Sequence, residues 1–141
     1  MVITRQLRSV LCTAALLAVA VGCSWRRPVA DPLEDTSWQL VSYAEEQVLA
    51  GSQVTASFQE GRVGGTAGCN SYGGSYEVQK DKVTFGALFS TKMFCHDPDG
   101  VMNQEQTFLN LLGAATTFRL EGATLTIVST GGEALVFERE P

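Results

Sequence analysis

Two hydrophobic periods share this chain, and their order restricts its fold more than any other feature. Short stretches of two-residue alternation lie on both sides of a single segment whose apolar residues recur every three to four positions. Alternation puts one face of a strand on a core, whereas the 3.6-residue period puts one stripe of a helix there. Thr36 to Tyr43 alternates, with Trp38 and Leu40 on one face, and reads as a strand. Val54, Ala56 and Phe58 alternate in a second. Residues 61–74 hold six glycines, a density in a strand that signals bulges, a sharp bend or close backbone approach. Ser75 to Gln79 reads as a short strand turning through Lys80-Asp81 into Lys82 to Phe85, and Leu88 to Phe94 as another extended stretch.

The period then changes. Asp97-Pro98 has the form of an N-cap followed by proline at the first helical position. Val101, Met102, Phe108, Leu109, Leu111 and Leu112 share one side of a helix, and Gly113 marks its stop. Thr116 to Leu120, Thr124 to Ser129 and Ala134 to Glu138 follow as strands, with turns at Glu121-Gly122 and Gly131-Gly132. Sequential strands with short turns make an antiparallel meander, which must cover its apolar face. The expected class is α+β: an antiparallel, strongly curved or cracked β-barrel-like sheet of about seven to eight strands with one central α-helix.

The first 22 residues read as a targeting segment. Arg5 and Arg8 supply the positive start, and Val10 to Val21 is an apolar run of 12 residues. A membrane span needs ~20, so the run fits an export signal. It ends at Ala20-Val21-Gly22-Cys23, which resembles the bacterial lipobox, with Ala20 where Leu is usual. The resemblance implies cleavage before Cys23 and its acylation, hence an envelope protein held to its membrane by lipid. Ser24, which is not Asp, implies the outer membrane, facing the periplasm, in a Gram-negative host. Ser24 to Glu34, with Pro28 and Pro32, reads as a tether. The chain thus divides into a signal peptide (1–22), a lipidated start and tether (23–34) and a globular domain (35–140). Losing Arg5 and Arg8 leaves eight basic residues against 15 acidic ones, a net −7. An acidic chain with no Lys/Arg cluster is a poor polyanion binder, which sets nucleic acid aside as a partner.

Four motifs carry a family resemblance over about residues 33–139. They are Thr36-Ser37-Trp38-Gln39-Leu40, Gly68-Cys69-Asn70-Ser71-Tyr72-Gly73-Gly74, Thr91-Lys92-Met93-Phe94-Cys95 and Glu105-Gln106-Thr107-Phe108-Leu109. In this order and spacing they resemble the META domain family, which includes the HslJ-like heat-shock lipoproteins. Two departures are Lys92, where the family usually has Arg, and Phe94-Cys95-His96, where Ala-Cys-Pro is frequent. The resemblance implies a cracked antiparallel barrel interrupted by a helix, and envelope proteins tied to stress. It implies no catalytic site.

Few residues are left to carry chemistry. With Cys12 in the signal and Cys23 acylated, Cys69 and Cys95 are the remaining thiols, and an even count in an oxidising compartment reads as a disulfide. Buried free thiols and a reactive Cys95 are the alternatives. His96, the single histidine, adjoins Cys95, but neighbours on a strand face opposite ways and make poor nucleophile–base partners. A zinc site from Cys69, Cys95, His96 and Asp97 or Asp99 lacks the usual ligand spacing, so no metal and no cofactor is expected. Glu105 falls on one helical stripe with Val101, Phe108 and Leu112. A carboxylate there needs donors or a cation, or must stay protonated. Unpaired N–H groups of a broken or bulged strand, Lys92 and Arg119 are the candidate partners, which makes Glu105 a structural buried carboxylate. The glycines at 64–68 lack the Lys-Ser/Thr ending of a phosphate loop.

These readings describe a lipid-anchored, monomeric envelope module that binds or supports and is not an enzyme, its partners the membrane and an envelope protein. Two other functions stay open. One is a carrier of an apolar ligand in the barrel, lined by Phe85, Leu88, Phe89 and Phe94. The other is a thiol- or carboxylate-dependent hydrolase.

Overall fold

The computed structural model describes residues 30–141, so the signal segment, Cys23 and the tether up to residue 29 lie outside the described residues. Ten strands and one helix follow in order: β1 (Thr36–Tyr43), β2 (Glu46–Gln47), β3 (Thr55–Gln59), β4 (Arg62–Thr66), β5 (Ser71–Gln79), β6 (Lys82–Phe85), β7 (Phe89–Ser90), α1 (Val101–Gly113), β8 (Ala115–Glu121), β9 (Thr124–Ser129) and β10 (Ala134–Arg139). Eight of them form a closed antiparallel barrel in the order β10-β9-β8-β6-β5-β4-β3-β1, with β1 pairing back onto β10. The two-residue strands β2 and β7 add to β1 and β5. The META-like expectation of a curved barrel with one helix therefore holds, with the wall complete.

The thinnest joint is β6 to β8, where the one register pair is Lys82 opposite Thr117. Phe118 N–H reinforces it by donating to the Asp81 carbonyl at 2.9 Å. Between these strands the chain leaves the wall to make β7 and α1. Helix α1 buries Val101, Gln104, Glu105, Phe108 and Leu112. The Phe108 ring lies 5.3 Å from Tyr72 on β5 and 6.4 Å from Phe137 on β10, both edge-to-face. Those two strands are diametrically opposed in the barrel order, so Phe108 fills the interior between them. Trp38, Phe58, Phe108 and Phe137 are all at most 1% exposed. Burial of rings this large contributes roughly 1.5–3 kcal/mol each.

The structure corrects several sequence expectations. Strand β5 begins at Ser71 instead of Ser75 and runs straight through Gly73 and Gly74. These glycines make room for a second layer. A Cβ on Gly73 would sit 2.8 Å from the Phe89 ring, and one on Gly74 would sit 2.8 Å from Leu88 Cδ2. The extended stretch expected over 88–94 is regular strand only at Phe89–Ser90. Asp97-Pro98 does not start the helix, since α1 begins at Val101. Gly100, at φ 85°, occupies the N-cap without a side-chain cap, a conformation that a Cβ would strain. The Pro98 carbonyl instead accepts Val101 N–H at 3.1 Å.

The folded unit also begins before residue 35. Leu33 is fully buried in the core, and a turn over 32–35 precedes β1. The tether expected up to Glu34 thus ends earlier, because Glu34 is itself a clamp. Its carboxylate accepts Tyr76 Oη–H at 2.8 Å, Gly61 N–H at 3.4 Å and a short bond from Glu60 N–H.

The Tyr76 hydroxyl, then Glu60 N–H, hold the Glu34 carboxyl below its ordinary value of 4.5. A depressed folded pKa adds stability that is fully present above the unfolded value and is lost as pH falls through the folded one. Glu34→Gln is therefore expected to reduce the loss of stability between pH 4.5 and lower pH, read from urea midpoints at several pH values. An acid limb identical to that of the parent chain would contradict the clamp.

Candidate functional site

Residues 67–70 turn the chain from β4 into β5 at the mouth of the barrel, beside the start of α1. Gly68 takes φ +117°, and a Cβ there would press at 3.2 Å on Ser52 Oγ and Val101 Cγ2. The turn leaves the N–H groups of Cys69 and Asn70 without strand partners, and α1 supplies one. Glu105 Oε2 accepts Cys69 N–H at 3.1 Å and Asn70 N–H at 2.7 Å, while its Oε1 accepts Asn70 Nδ2–H at 2.7 Å. Glu105 is 5% exposed and Asn70 2%. Three charge-assisted bonds of roughly 1.5–3 kcal/mol each offset the desolvation of such a carboxylate. Of the candidate cations, Arg119 pairs with Glu121 on the surface at 3.4 Å, and Lys92 is exposed.

Asn70 passes the order outward. Its Nδ2 also donates to the Met93 carbonyl at 3.0 Å, and its Oδ1 accepts Met93 N–H and Thr91 Oγ1–H, both at 2.7 Å. Two donors and two acceptor sites are all the amide has, and all are used. The side chain thus acts as a strand partner for the 91–93 backbone. A disulfide joins Cys69 to Cys95 (Cα–Cα 5.9 Å), and Cys95 N–H donates to Met102 Sδ at 3.4 Å. Gln104 does a parallel job one residue before Glu105. It accepts Leu49 N–H and donates to Ser52 Oγ, each at 2.7 Å, and so ties down the loop after β2.

Segment 87–100 is therefore fixed by β5, by Asn70 and by the disulfide, yet it faces water. The three large apolar side chains that stand exposed among the described residues all come from it: Phe89 (60%), Met93 (57%) and Phe94 (70%). Between this segment and α1 lies a groove of about 310 Å³, bordered by Ser90, Lys92, Met93, Phe94, Met102 and Leu109. A second trough of about 530 Å³ runs over β3–β5, from Glu60 and Arg62 across Gly64 and Gly73 to Phe89. Phe89 and Phe94 lie outside the barrel, and Phe85 and Leu88 pack partly buried against its core, so these four do not line an internal cavity.

The chemistry open to the site follows. Cys95, bonded to Cys69, offers neither thiolate nor metal ligand in this state. His96 is exposed with its ring 4.9 Å from Phe94. No group of three His, Cys, Asp or Glu able to hold a metal occurs among the described residues. What remains is an apolar surface held in one shape. Sequence reasoning passed over Asn70, whose type gives no sign of burial, and Gln104, whose polarity masks its place on the apolar side of the helix between Val101 and Phe108. The signal for Asn70 was its place between Cys69 and Ser71 in the glycine-rich motif.

Comparison with known proteins gives the barrel its kinship. The family model for the META domain matches residues 31–141. The chain belongs to the META domain family. A protein from Burkholderia xenovorans, solved by NMR, is similar at 29% identity over 77% of this chain and 83% of its own, with a TM-score of 0.62. A DUF4847 family protein from Bacteroides vulgatus shares the fold at 11% identity over 76% of this chain and 94% of its own, with a TM-score of 0.55. No curated protein matches the sequence. The META match begins at residue 31, beside the turn that buries Leu33.

Two outcomes are expected. Glu105→Gln sets an amide NH₂ against Asn70 Nδ2, which has no freedom to flip because its Oδ1 serves Thr91 and Met93. The variant should lose about 1–3 kcal/mol of unfolding free energy in urea, the cost of an unpaired buried donor. Wild-type stability would remove the proposed role of the carboxylate. Alkylation of the denatured, unreduced domain should label neither Cys69 nor Cys95, and Cys69→Ala/Cys95→Ala should cost about 3–4 kcal/mol for a separation of 26 residues. Two labelled thiols would show an open bridge.

Proposed function

We propose that this META-domain chain is a lipid-anchored envelope protein that works as a binding module and not by catalysis. The observation that carries the reading is the clamped apolar display of Phe89, Met93 and Phe94. Exposing large apolar side chains costs solubility, and fixing them with a disulfide and a buried amide suits a surface made to be covered. The groups with catalytic potential are committed elsewhere, Cys95 to a disulfide and Glu105 to three donors. A hydrolase would need one of them free. The carrier reading has less support, because Trp38, Phe58, Phe108 and Phe137 occupy the interior.

Cys23, after Ala20-Val21-Gly22, supports an acylated N-terminus. In a Gram-negative host Ser24 favours the outer membrane, with the domain in the periplasm. Two or more acyl chains make such an anchor durable. The closed wall, whose extra strands β2 and β7 are two residues long, favours a monomer. The family resemblance favours a link to envelope stress.

The anchor is tested by expressing the full chain and its Cys23→Ser variant with labelled palmitate in a Gram-negative host. The parent chain should take up label and sediment with membranes, and the variant should do neither. Label retained by Cys23→Ser, or a soluble unlabelled parent chain, would overturn the anchor.

A further inference from the structure

We infer that residues 89–94 form a second, non-covalent contact with the lipid surface that carries the chain. The inference rests on the lipid-anchored reading above and goes further, because it gives the apolar display an occupant.

The composition of the segment is interfacial. Phe89, Met93 and Phe94 stand 60%, 57% and 70% exposed, with Lys92 exposed among them. The single ion pair among the described residues is Arg119 with Glu121, so the Lys92 ammonium is free to reach a headgroup phosphate. Aromatic rings and a lysine on one rim match a bilayer boundary, where rings enter the acyl edge and the ammonium snorkels to the headgroups.

The covalent path places the Phe89 end of this rim near the membrane. Glu34, at the entry to the domain, is bonded to the N–H groups of Glu60 and Gly61. Glu60 and Phe89 lie on the borders of one trough over β3–β5, so the chain entry and the Phe89 end of the rim share a face. From Cys23 to Ala30 the chain has seven residue steps, a reach of at most ~23–25 Å. A domain on so short a lead meets the bilayer with some face, and the face beside the lead carries Phe89.

Charge does not supply the attraction. Of the eight basic residues from Cys23 onward, Arg26 and Arg27 flank the anchor, while Arg62 and Lys92 border the two grooves. Asp31, Glu34, Asp35, Glu60, Asp97 and Asp99 outnumber them on this side, so apolar insertion supplies the attraction and the cations only lessen the repulsion a −7 chain feels. A second copy fits poorly. Three side chains of ~200 Å² each, little more than half exposed, offer roughly 350 Å², against ~800 Å² per partner in a stable protein interface.

The test uses the full mature lipoprotein in vesicles of phosphatidylcholine with phosphatidylglycerol, some of the lipid brominated at a shallow or a deep acyl position. A single reporter, Phe94→Trp, is placed in a Trp25→Phe background, with the buried Trp38 as a constant. The control carries Thr126→Trp on β9, which lies across the barrel from β4. Position 94 should emit further to the blue and be quenched at least twofold more than position 126, and more by shallow than by deep bromines. Phosphatidylcholine alone should retain most of this, since insertion is apolar. Equal quenching at both positions overturns the inference. Protection of position 94 in native membranes but not in pure lipid overturns it in favour of a protein partner. The anchor is scored separately: loss of vesicle association by the lipoprotein itself counts against Cys23 acylation, whereas a vesicle-bound protein with position 94 in water counts against the rim alone.

Discussion

One buried carboxylate joins the helix, the β4–β5 turn and the exposed loop into a single unit. Where β4 turns into β5 the strand ladder is interrupted, and two N–H groups point into the mouth of the barrel. Backbone donors in such a place must be satisfied, because an unpaired buried amide costs about as much as a lost hydrogen bond. Glu105 satisfies both from α1 and takes a third bond from Asn70. A neutral side chain would serve fewer donors less strongly. The helix is thereby fixed in rotation and depth, and Phe108, three residues on, falls between Tyr72 and Phe137.

The same node sets what the surface presents. Asn70 has one side on Glu105 and the other on the backbone of Met93, so burial order is carried to a segment that itself has almost no buried contacts. The disulfide fixes the far end of that segment at Cys95. Exposed loops of this composition would otherwise collapse onto the nearest apolar surface. Here the backbone is tied at several points, and the rings are left outside. A pair of cysteines and a helical carboxylate, the residue types from which an active site would be built, are used instead to hold a shape.

Much of the wall was legible in the chain. Alternation located β1, β3, β6, β8, β9 and β10, because strands with one buried face write their pattern locally. The 3.6-residue stripe exposed both the helix and the buried position of Glu105. The failures have physical reasons too. Residues 71–74 of β5 carry glycines that obscure any alternation, and their purpose is visible only once Leu88 and Phe89 lie across them. Asp97-Pro98 has a strong local preference for a helix start, but the chain is pinned at Cys95 and spends three more residues turning before α1. Leu33 sits amid prolines and acids, so its burial could not be read from its neighbours.

By itself the sequence determined the class of fold, through the order of its two hydrophobic periods, and supplied the signals on which the proposed envelope address rests, a short apolar run ending in a lipobox-like cysteine. Both are written in consecutive residues. Tertiary structure alone decided that the sheet closes, that Asn70 is the relay between Glu105 and Met93, and that Phe89, Met93 and Phe94 stand in water. Each of these joins residues more than twenty positions apart or depends on what a neighbouring layer leaves uncovered, and no local period records such a relation.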